Sequence, residues 1–406
     1  MTAPANSISL RRFQAIWAIQ FFLRDLVLIY PTYAIMMQSG GISALSLATL
    51  FVIWSGTALV LEVPSGALAD HFSRRNLLAL AGFITSLCFL VWLWFPNWWG
   101  YAAGFVIWSI GSSLISGTSE SLLYDTLMQE EASDAFERIY GLGEAAEGLG
   151  VITALLVGGW LAESGFFWPL VLSILGPVLA SVLVMFALDE PARFTDEEDD
   201  NEVEEQRYLQ TLTSGFRYSV STRELQVVLL AFALLVVIPY TLEEYIGPLL
   251  AESGEFSLTW IGLLYAAIWL ARTVGLTFAH RFRVSNLWHV LLGLTLSGGV
   301  LALSILLPPL GVVACVALAF LIGGASEVLL QGFLQRTLDG RVRATVTSVM
   351  QMAAECSGLV FFLIIGLVAS ASNWSTAFGI TGLIAFIAAL PLALAAKRLT
   401  DKGRTK

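Results

Sequence analysis

The chain consists of long apolar stretches separated by short polar connections, and this pattern predicts its secondary structure. Each stretch spans roughly 20 residues or more, the length that an α-helix needs to cross a bilayer. Helices satisfy their own backbone hydrogen bonds in lipid, and the weaker alternation of a membrane barrel is absent, so we expect no strands. The pattern predicts twelve spans, at residues 13–37, 43–69, 77–95, 100–127, 138–162, 166–187, 225–250, 258–279, 286–306, 310–334, 343–369 and 374–396.

The longest connection separates these spans into two sets of six. Ten acids and Arg193 lie between Asp189 and Glu205, so this connection is too polar to bury and predicts a solvated spacer. Residues 208–220 within it have the composition of an amphipathic segment at a membrane surface. The expected domains are an N-terminal six-helix bundle over 1–187, a cytoplasmic acidic linker over 188–224, a C-terminal six-helix bundle over 225–396 and a cytoplasmic tail over 397–406.

The two halves also repeat each other in sequence. The residues GTSE at 117–120 return as GASE at 324–327, and AAE at 145–147 returns at 353–355. Parallel six-helix halves are typical of transporters that hold substrate between the repeats near the bilayer midplane. The predicted fold class is therefore an all-α membrane protein whose twelve transmembrane helices form two pseudo-symmetric six-helix bundles.

Composition excludes several classes of protein. Of 406 residues, 13% are charged and 57% are hydrophobic, whereas a soluble protein carries about 25% charged residues. No basic patch exists to neutralise phosphates, so nucleic acid is not an expected partner. The three cysteines lie in apolar runs without disulfide or metal spacing, and we expect neither a metal nor a cofactor.

The basic residues predict the orientation in the membrane. If both termini are cytoplasmic, 19 of the 21 Lys and Arg residues fall in cytoplasmic segments, and the other two, Arg24 and Arg272, lie within spans. No basic residue remains for an outer loop, as the positive-inside rule requires. The first span is too long for a signal-peptide core. We therefore expect a multi-pass, monomeric protein of the plasma (cell inner) membrane with cytoplasmic termini.

The loop after the second span carries the most specific motif. It reads GALADHFSRR at 66–75, and it resembles the motif G-x-L-a-D-r-x-G-r-K/R between helices 2 and 3 of the major facilitator superfamily. The preceding residues EVPS at 62–65 extend the resemblance to a drug:proton antiporter-like branch with E-x-P-[ST]-G before that motif. The matching helix count and repeat make the resemblance cover the whole chain.

In that family the motif latches the two halves together when the transporter faces outward. His71 and Ser73 replace the usual Arg and Gly of the motif, which predicts a weaker or pH-sensitive latch. The residues to which the resemblance assigns the latch are Gly66, Asp70, Arg74 and Arg75.

The fifth span resembles the antiporter motif G-x8-G-x3-G-P-x2-G-G of drug exporters in part. Four glycines match it, while Ala154 and Leu155 replace its central Gly-Pro. Small residues at these positions would also support helix packing in any transporter. The Arg expected in the fourth helix of many proton-coupled members is replaced by Ser113, so a proton relay must be built differently. The matching glycines are Gly141, Gly150, Gly158 and Gly159.

Acidic residues within the spans are the main candidates for function. Ten carboxylates face only Arg24 and Arg272, and one ionised group at the bilayer centre costs roughly 2.5–3.5 kcal/mol. Three of the ten, Glu62, Asp125 and Glu144, lie near cytoplasmic helix ends, where pairing with loop arginines is the alternative interpretation. Helices 1, 4, 7 and 10 line the cavity in the family, which favours Asp25, Glu120, Glu243, Glu244 and Glu327. Glu147, Glu355 and Arg24 complete the predicted substrate- or proton-binding set.

Arg24 and Asp25 are adjacent in sequence. On a continuous helix their side chains would point about 100° apart, so we expect them to serve different partners. Desolvation favours protonation of such carboxyl groups, which would let them exchange a proton for a cation.

These features predict a secondary active transporter that works by alternating access and exports a lipophilic or cationic small molecule in exchange for protons. The main alternative is a proton-coupled or facilitative importer of a small metabolite. An integral-membrane enzyme is a remote alternative, because the three histidines have no catalytic motif around them, so we expect no enzyme. The expected partners are a small-molecule substrate, protons and the lipid bilayer.

Overall fold

The computed structural model describes residues 10–190, 216–281, 286–338 and 343–404. Most of the acidic linker, including 208–215 of the expected amphipathic segment, lies outside these ranges. Within the helices, the side chains at positions 63, 66, 67, 69–71, 117, 343–345, 400 and 402–404 also lie outside the description.

Every regular element in the described ranges is helical. The first part contains α1 (Leu10–Arg24), α2 (Tyr33–Ser39), α3 (Ala44–His71), α4 (Arg74–Trp94), α5 (Trp98–Gln129), α6 (Phe136–Ala162) and α7 (Phe167–Ala187). The second part contains α8 (Arg223–Ala231), α9 (Val237–Glu243), α10 (Ile246–Ala251), α11 (Leu258–Phe278), α12 (Leu287–Ala302), α13 (Pro309–Thr337), α14 (Arg343–Ala371) and α15 (Trp374–Arg404).

Within the described ranges, ten helices are long and apolar enough to cross a membrane. The all-helical membrane architecture is therefore confirmed, while the count of twelve spans stays a prediction. The two predicted spans outside the ten are the first, which is interrupted, and the fourth, which corresponds to α5.

The interruption of the first span corrects the prediction of a continuous helix over 13–37. Helix α1 ends at Arg24 and α2 begins at Tyr33. The segment contains Pro31, which has no N–H to donate to a helical hydrogen bond. Glycines of the neighbouring helices accommodate the break. The Leu28 carbonyl oxygen lies against Gly158 of α6, and a Cβ added at Gly176 of α7 would lie 2.7 Å from the Leu26 carbonyl oxygen.

The seventh predicted span, 225–250, is also divided. A π-helical turn, Phe232–Val236, joins α8 to α9, and a second break at Glu244 and Tyr245 separates α9 from α10. Pro239 follows the π-helical turn and cannot donate a backbone hydrogen bond to the carbonyl four residues earlier, at Leu235. A widened turn at this place lets the chain pass the proline without ending the helix.

Backbone contacts divide the chain into two compact units. The first comprises residues 1–196 with 256–263, and the second comprises 197–255 with 264–406, as far as each is described. In the first unit, α1 packs against α6 and α7, and α4 packs against α5 and α7. Its core contains a buried aromatic cluster, in which the Trp92 ring contacts the rings of Phe89, Tyr101, Phe105 and Trp108.

In the second unit, α12 packs against α13 and α15, and α14 packs against the π-helical turn and α15. The Glu252 carboxylate, which directly follows α10, accepts hydrogen bonds from the backbone N–H groups of Trp374 (2.6 Å) and Ser375 (3.0 Å). These are the first residues of α15, so Glu252 caps that helix from another element.

The glycines that resemble the antiporter motif differ in their surroundings. Gly150 and Gly158 lie against the carbonyl oxygens of Phe22 and Leu28, so they permit close approach of α6 to the α1 segment. A Cβ added at Gly141 would meet no heavy atom within 4 Å. Packing therefore accounts for Gly150 and Gly158 and leaves Gly141 without that explanation.

This difference predicts that replacing glycine by alanine has different effects on stability at these two positions of α6. Gly158→Ala should destabilise the fold by about 1–3 kcal/mol, because the added methyl group overlaps the Leu28 backbone. Gly141→Ala should be neutral or stabilising by up to about 1 kcal/mol, since alanine favours the helix and the site is open. Thermal unfolding of purified protein in detergent measures both. Equal effects of the two variants would contradict the packing role.

Candidate functional site

An ion cluster lies where α1 ends. The Arg24 Nε donates to the Asp25 Oδ2 at 3.0 Å, and Arg24 also forms an ion pair with Glu147 of α6. The expectation that Arg24 and Asp25 serve different partners is wrong, because the helix ends at Arg24 and the next residue is free to turn its carboxylate towards the guanidinium.

The cluster is largely shielded from solvent and is stabilised by aromatic residues. The exposed fractions of the Arg24, Asp25 and Glu147 side chains are 15%, 19% and 31%. The Arg24 guanidinium lies 4.2 Å from the centre of the Phe21 ring, and the Tyr30 hydroxyl donates to the Asp25 Oδ1 at 3.0 Å. Two carboxylates share one cation, so the cluster has the chemistry to accept a proton or a second cation.

A cavity of about 220 Å³ adjoins this cluster within the first unit. Arg24, Asp25 and Tyr30 line it, and the Trp108 ring lies 5.8 Å from the Tyr30 ring and nearly parallel to it, at 17°. Besides Tyr30, the hydroxyl-bearing side chains in its wall are Thr85, Ser112 and Ser116. The cavity thus combines charge, aromatic faces and hydrogen-bonding hydroxyls, as small-molecule sites commonly do.

The second unit contains an ion cluster of its own. The Arg272 Nη2 lies 3.2 Å from the Glu327 Oε2, and the Tyr240 hydroxyl donates to the Glu327 Oε1 at 2.6 Å. The Arg272 guanidinium also lies 4.2 Å from the centre of the Tyr240 ring. Glu243 interacts electrostatically with Arg272. Tyr240 therefore uses its ring and its hydroxyl to hold both members of one ion pair.

The other predicted site residues lie elsewhere. Glu120 is exposed on α5, and Glu355 is half-buried on α14. Glu244 lies in the turn between α9 and α10. The structure thus brings together Arg24, Asp25 and Glu147 in one unit and Glu243 and Glu327 in the other.

The predicted latch residues are described in part. The side chains of Gly66 and Asp70 lie outside the described part of the structure. Arg74, at the first position of α4, forms a buried ion pair with Asp125 of α5 and donates to the Ser121 carbonyl oxygen at 3.2 Å. Asp125 is therefore paired with a loop arginine, as one interpretation of the sequence anticipated.

Glu190 extends this cluster and was not predicted. Its carboxylate accepts hydrogen bonds from the backbone N–H groups of Arg74 (2.9 Å) and Arg75 (3.0 Å) and from the Ser73 hydroxyl. Ser73 in turn accepts from the Asn76 N–H and is the N-cap of α4. Ser73, which stands where the family motif has Gly, thus supplies the N-cap of α4. Glu190, which the sequence grouped with the acidic linker, accepts hydrogen bonds from further N–H groups at the same helix N-terminus.

Sequence reasoning also left Arg272 out of the predicted site. Its position was visible in the sequence, because Arg24 and Arg272 are the only basic residues that lie inside a predicted span rather than at its end. An intramembrane arginine requires a partner, and that requirement could have linked Arg272 to Glu327.

The all-helical fold with its apolar spans and shielded ion clusters defines a multi-pass membrane protein, and comparison with known proteins identifies its class. A family model described as Major Facilitator Superfamily matches residues 18–362. The uncharacterized MFS-type transporter YxaM of Bacillus subtilis (strain 168) is 21% identical over 369 residues, which cover 88% of this chain and 89% of that protein.

Solved structures show the same fold. A bacterial homolog to the human lysosomal transporter Spinster, in an inward-facing and occupied conformation, matches with a TM-score of 0.71 and 15% identity over 98% of each chain. The nucleoside transporter NupG matches with a TM-score of 0.73 and 12% identity over 95% of this chain and 98% of that one.

The chain belongs to the Major Facilitator Superfamily. It is a membrane transporter of a small molecule rather than an enzyme, and the resemblance seen in its loop motif is confirmed at the level of the superfamily.

The cap of α4 leads to a prediction about stability. Glu190→Ala should lower the free energy of unfolding by about 1 kcal/mol, because two N–H groups at the start of α4 lose their acceptor. Asp189→Ala is the matched control, since it removes an equally exposed acid from the neighbouring position. Thermal unfolding in detergent compares the two, and equal losses would contradict the capping role.

The Arg272–Glu327 pair leads to a second prediction. Arg272→Gln should destabilise the protein by about 3–5 kcal/mol, because it leaves a mostly buried carboxylate without its cation. The double variant Arg272→Gln/Glu327→Gln should regain much of that loss. Unfolding in micelles of increasing denaturing detergent measures the coupling, and additive losses would show that the pair contributes nothing as a pair.

Proposed function

We propose that this transporter couples export of a lipophilic or cationic small molecule to proton entry by alternating access. The observation that supports this best is the Arg24 guanidinium shared between Asp25 and Glu147 beside a cavity. One cation cannot neutralise two carboxylates, so the cluster favours binding of either a proton or a cationic substrate. Competition between these two ligands is the basis of exchange.

The chemistry of the exchange uses the side chains already in place. When a proton binds to Asp25 or Glu147, the guanidinium keeps one ionised partner and the cluster becomes neutral. When a cationic group approaches instead, the proton must leave, because both cannot be accommodated by one excess negative charge. The stacked rings of Tyr30 and Trp108 offer apolar and cation–π surface to the rest of such a substrate.

The second unit supplies a further charge cluster for the cycle. Glu327 is held by Arg272 and Tyr240, and Glu243 lies near the same arginine. We assign Glu327 and Glu243 to proton or substrate binding in this unit, with Glu120, Glu244 and Glu355 as secondary candidates. We assign Gly66, Asp70, Arg74 and Arg75 to the conformational latch, which the pairing of Arg74 with Asp125 supports.

We propose the location and orientation in the cell from the distribution of the basic residues. Nineteen of the 21 Lys and Arg residues lie on one predicted side, which supports a plasma-membrane protein with cytoplasmic termini. We also propose that the transporter is monomeric.

Proton-coupled import of a small metabolite is the second candidate. The hydroxyls of Thr85, Ser112 and Ser116 in the cavity wall suit a neutral, hydrogen-bonding substrate. The same carboxylates would then carry a proton in the same direction as the substrate.

Proton movement in reconstituted vesicles distinguishes the two candidates. Vesicles containing the protein are exposed to a lipophilic cation, tetraphenylphosphonium, and separately to a nucleoside and to D-xylose, while a dye reports the pH of the medium. Acidification on addition of the cation supports antiport. Alkalinisation on addition of a neutral metabolite supports symport, and no proton movement across a chemically diverse set of compounds would contradict coupling.

Substitution of Asp25 tests the proposed site. Asp25→Asn should abolish substrate-driven proton movement with normal membrane insertion, because the neutral amide leaves one carboxylate for Arg24 and removes the excess charge. Glu327→Gln should likewise impair coupling. Glu255→Gln, which likewise replaces a carboxylate by an amide but at an exposed loop position, is the control. Unchanged coupling in both Asp25→Asn and Glu327→Gln would overturn the assignment.

A further inference from the structure

Helix α6 carries a line of ionisable side chains that leads to the Arg24 cluster. Tyr140, Glu144 and Glu147 are spaced four and three residues apart, so they lie on one face of the helix. At 1.5 Å per residue, the line rises by about 10 Å from Tyr140 near the start of α6 to Glu147.

The exposed surface of α6 is of two kinds. Leu142, Leu149 and Leu156 are spaced seven residues apart, with exposed fractions of 42%, 61% and 39%, and this apolar face suits lipid. Glu144 is also exposed but charged. An ionised carboxylate facing hydrocarbon costs roughly 2.5–3.5 kcal/mol, so within a spanning helix it is stable only against water or a partner. The acidic face of α6 therefore requires water or charged partners around it.

The side chains on this face influence one another electrostatically. The Tyr140 phenol interacts with the carboxylates of Glu120 and Glu144, and Glu144 interacts with Glu147. Glu147 forms the ion pair with Arg24. Ionisable groups at helical spacing thus lead from the start of α6 to Glu147, which pairs with the cavity-lining Arg24.

A buried donor points independently to a water-bearing path. The Trp17 side chain is fully buried, and its Nε1 has no hydrogen-bond partner among the described residues. It lies against Gly143, where an added Cβ would be 2.8 Å from the Nε1, between the levels of Tyr140 and Glu147. A buried N–H without an acceptor is costly, and a water molecule on this face would supply the acceptor. The nearby Gln20 Nε2 is buried and lacks a partner in the described ranges as well.

Few other charged side chains lie on the helices that pack against α6. Arg24, the last residue of α1, and the adjacent Asp25 lie at the Glu147 end of this face. From α5 the line faces Glu120 and Tyr124, whose ring contacts Phe136 at the start of α6. Helix α7 carries no titratable side chain. Asp134, Glu137 and Arg138 lie at the entrance, around the first turn of α6.

We propose that Glu120, Tyr140, Glu144 and Glu147 form a hydrated path that carries protons between the start of α6 and the Arg24–Asp25 pair. The role in coupling rests on the proposed proton-coupled function, while hydration and proton delivery along α6 can be measured without a substrate. A proton binds to one carboxylate as another releases its own, and the Tyr140 hydroxyl and intervening water pass it on, so no other reactant is required.

Thiol accessibility tests the hydration and charge of the path. Glu144→Cys and the matched lipid-face variant Leu149→Cys are made in a background of Cys88→Ala, Cys315→Ala and Cys356→Ser. Both are treated in membrane vesicles with impermeant methanethiosulfonates, one cationic and one anionic. Residue 144 should react, and faster with the cationic reagent by about tenfold or more, because the remaining carboxylates attract it. Glu120→Gln should reduce that ratio. The proposal would be overturned if Glu144→Cys were as unreactive as Leu149→Cys. It would also be overturned if Glu144→Cys reacted equally fast with the cationic and the anionic reagent.

Proton delivery is tested by a pH jump on purified protein in lipid nanodiscs. Time-resolved infrared absorption follows the carboxyl band that is lost in Glu147→Gln. Glu144→Gln should slow its appearance by about tenfold with the final amplitude unchanged, and Glu144→Asp should restore the rate. Leu149→Ala is the control. An unchanged rate with altered amplitude would mean that Glu144 affects only the charge of the cluster, and the path would be wrong. Because no substrate is present, this result is independent of whether transport proves to be proton-coupled.

Discussion

Ionised groups in a membrane-spanning helix must be paired or hydrated, and this constraint shapes the structure around Arg24. The guanidinium forms ion pairs with two carboxylates and lies against the Phe21 ring, while the Tyr30 hydroxyl donates to the other oxygen of Asp25. This arrangement requires α1 to end at Arg24, since on a continuous helix the adjacent Asp25 would point away. The break is in turn accommodated by glycines of α6 and α7, which give room to the backbone carbonyls. Charge pairing, the interrupted helix and close helix packing therefore depend on one another.

The second unit meets the same constraint by different means. Among the described residues, Arg272 has one carboxylate at ion-pair distance, and Tyr240 donates a hydrogen bond to that carboxylate while its ring lies against the guanidinium. Two acids outside the spans cap helices that are distant in sequence. Glu190 accepts hydrogen bonds at the N-terminus of α4, and Glu252 does so at the N-terminus of α15. Glu190 and Glu252 thus have a structural use, unlike the acids on α6 and in the cavity that we assign to proton binding.

Much of the fold could be predicted from the sequence, because helices in lipid satisfy their backbone groups locally and their length is set by the bilayer. The helix positions and the membrane class follow from this, and the loop motif at 66–75 indicates the superfamily. The candidate site could be predicted in part. Asp25, Glu147 and Glu327 stand out because carboxylates are rare within spans. The pairing of Glu147 with Arg24 links residues 123 positions apart, and no local pattern specifies such a contact.

What the sequence by itself determined is the all-helical membrane class and the identity of the intramembrane charges, since each depends on the transfer of single residues or segments between water and lipid. What only the tertiary structure decided is which charges meet. Asp25 turns back to Arg24 because the helix ends there, Glu190 reaches α4 rather than remaining part of a spacer, and the acids of α6 align along one face beside a buried Trp17. These relations depend on helix packing, in which a few glycines set the distances between backbones.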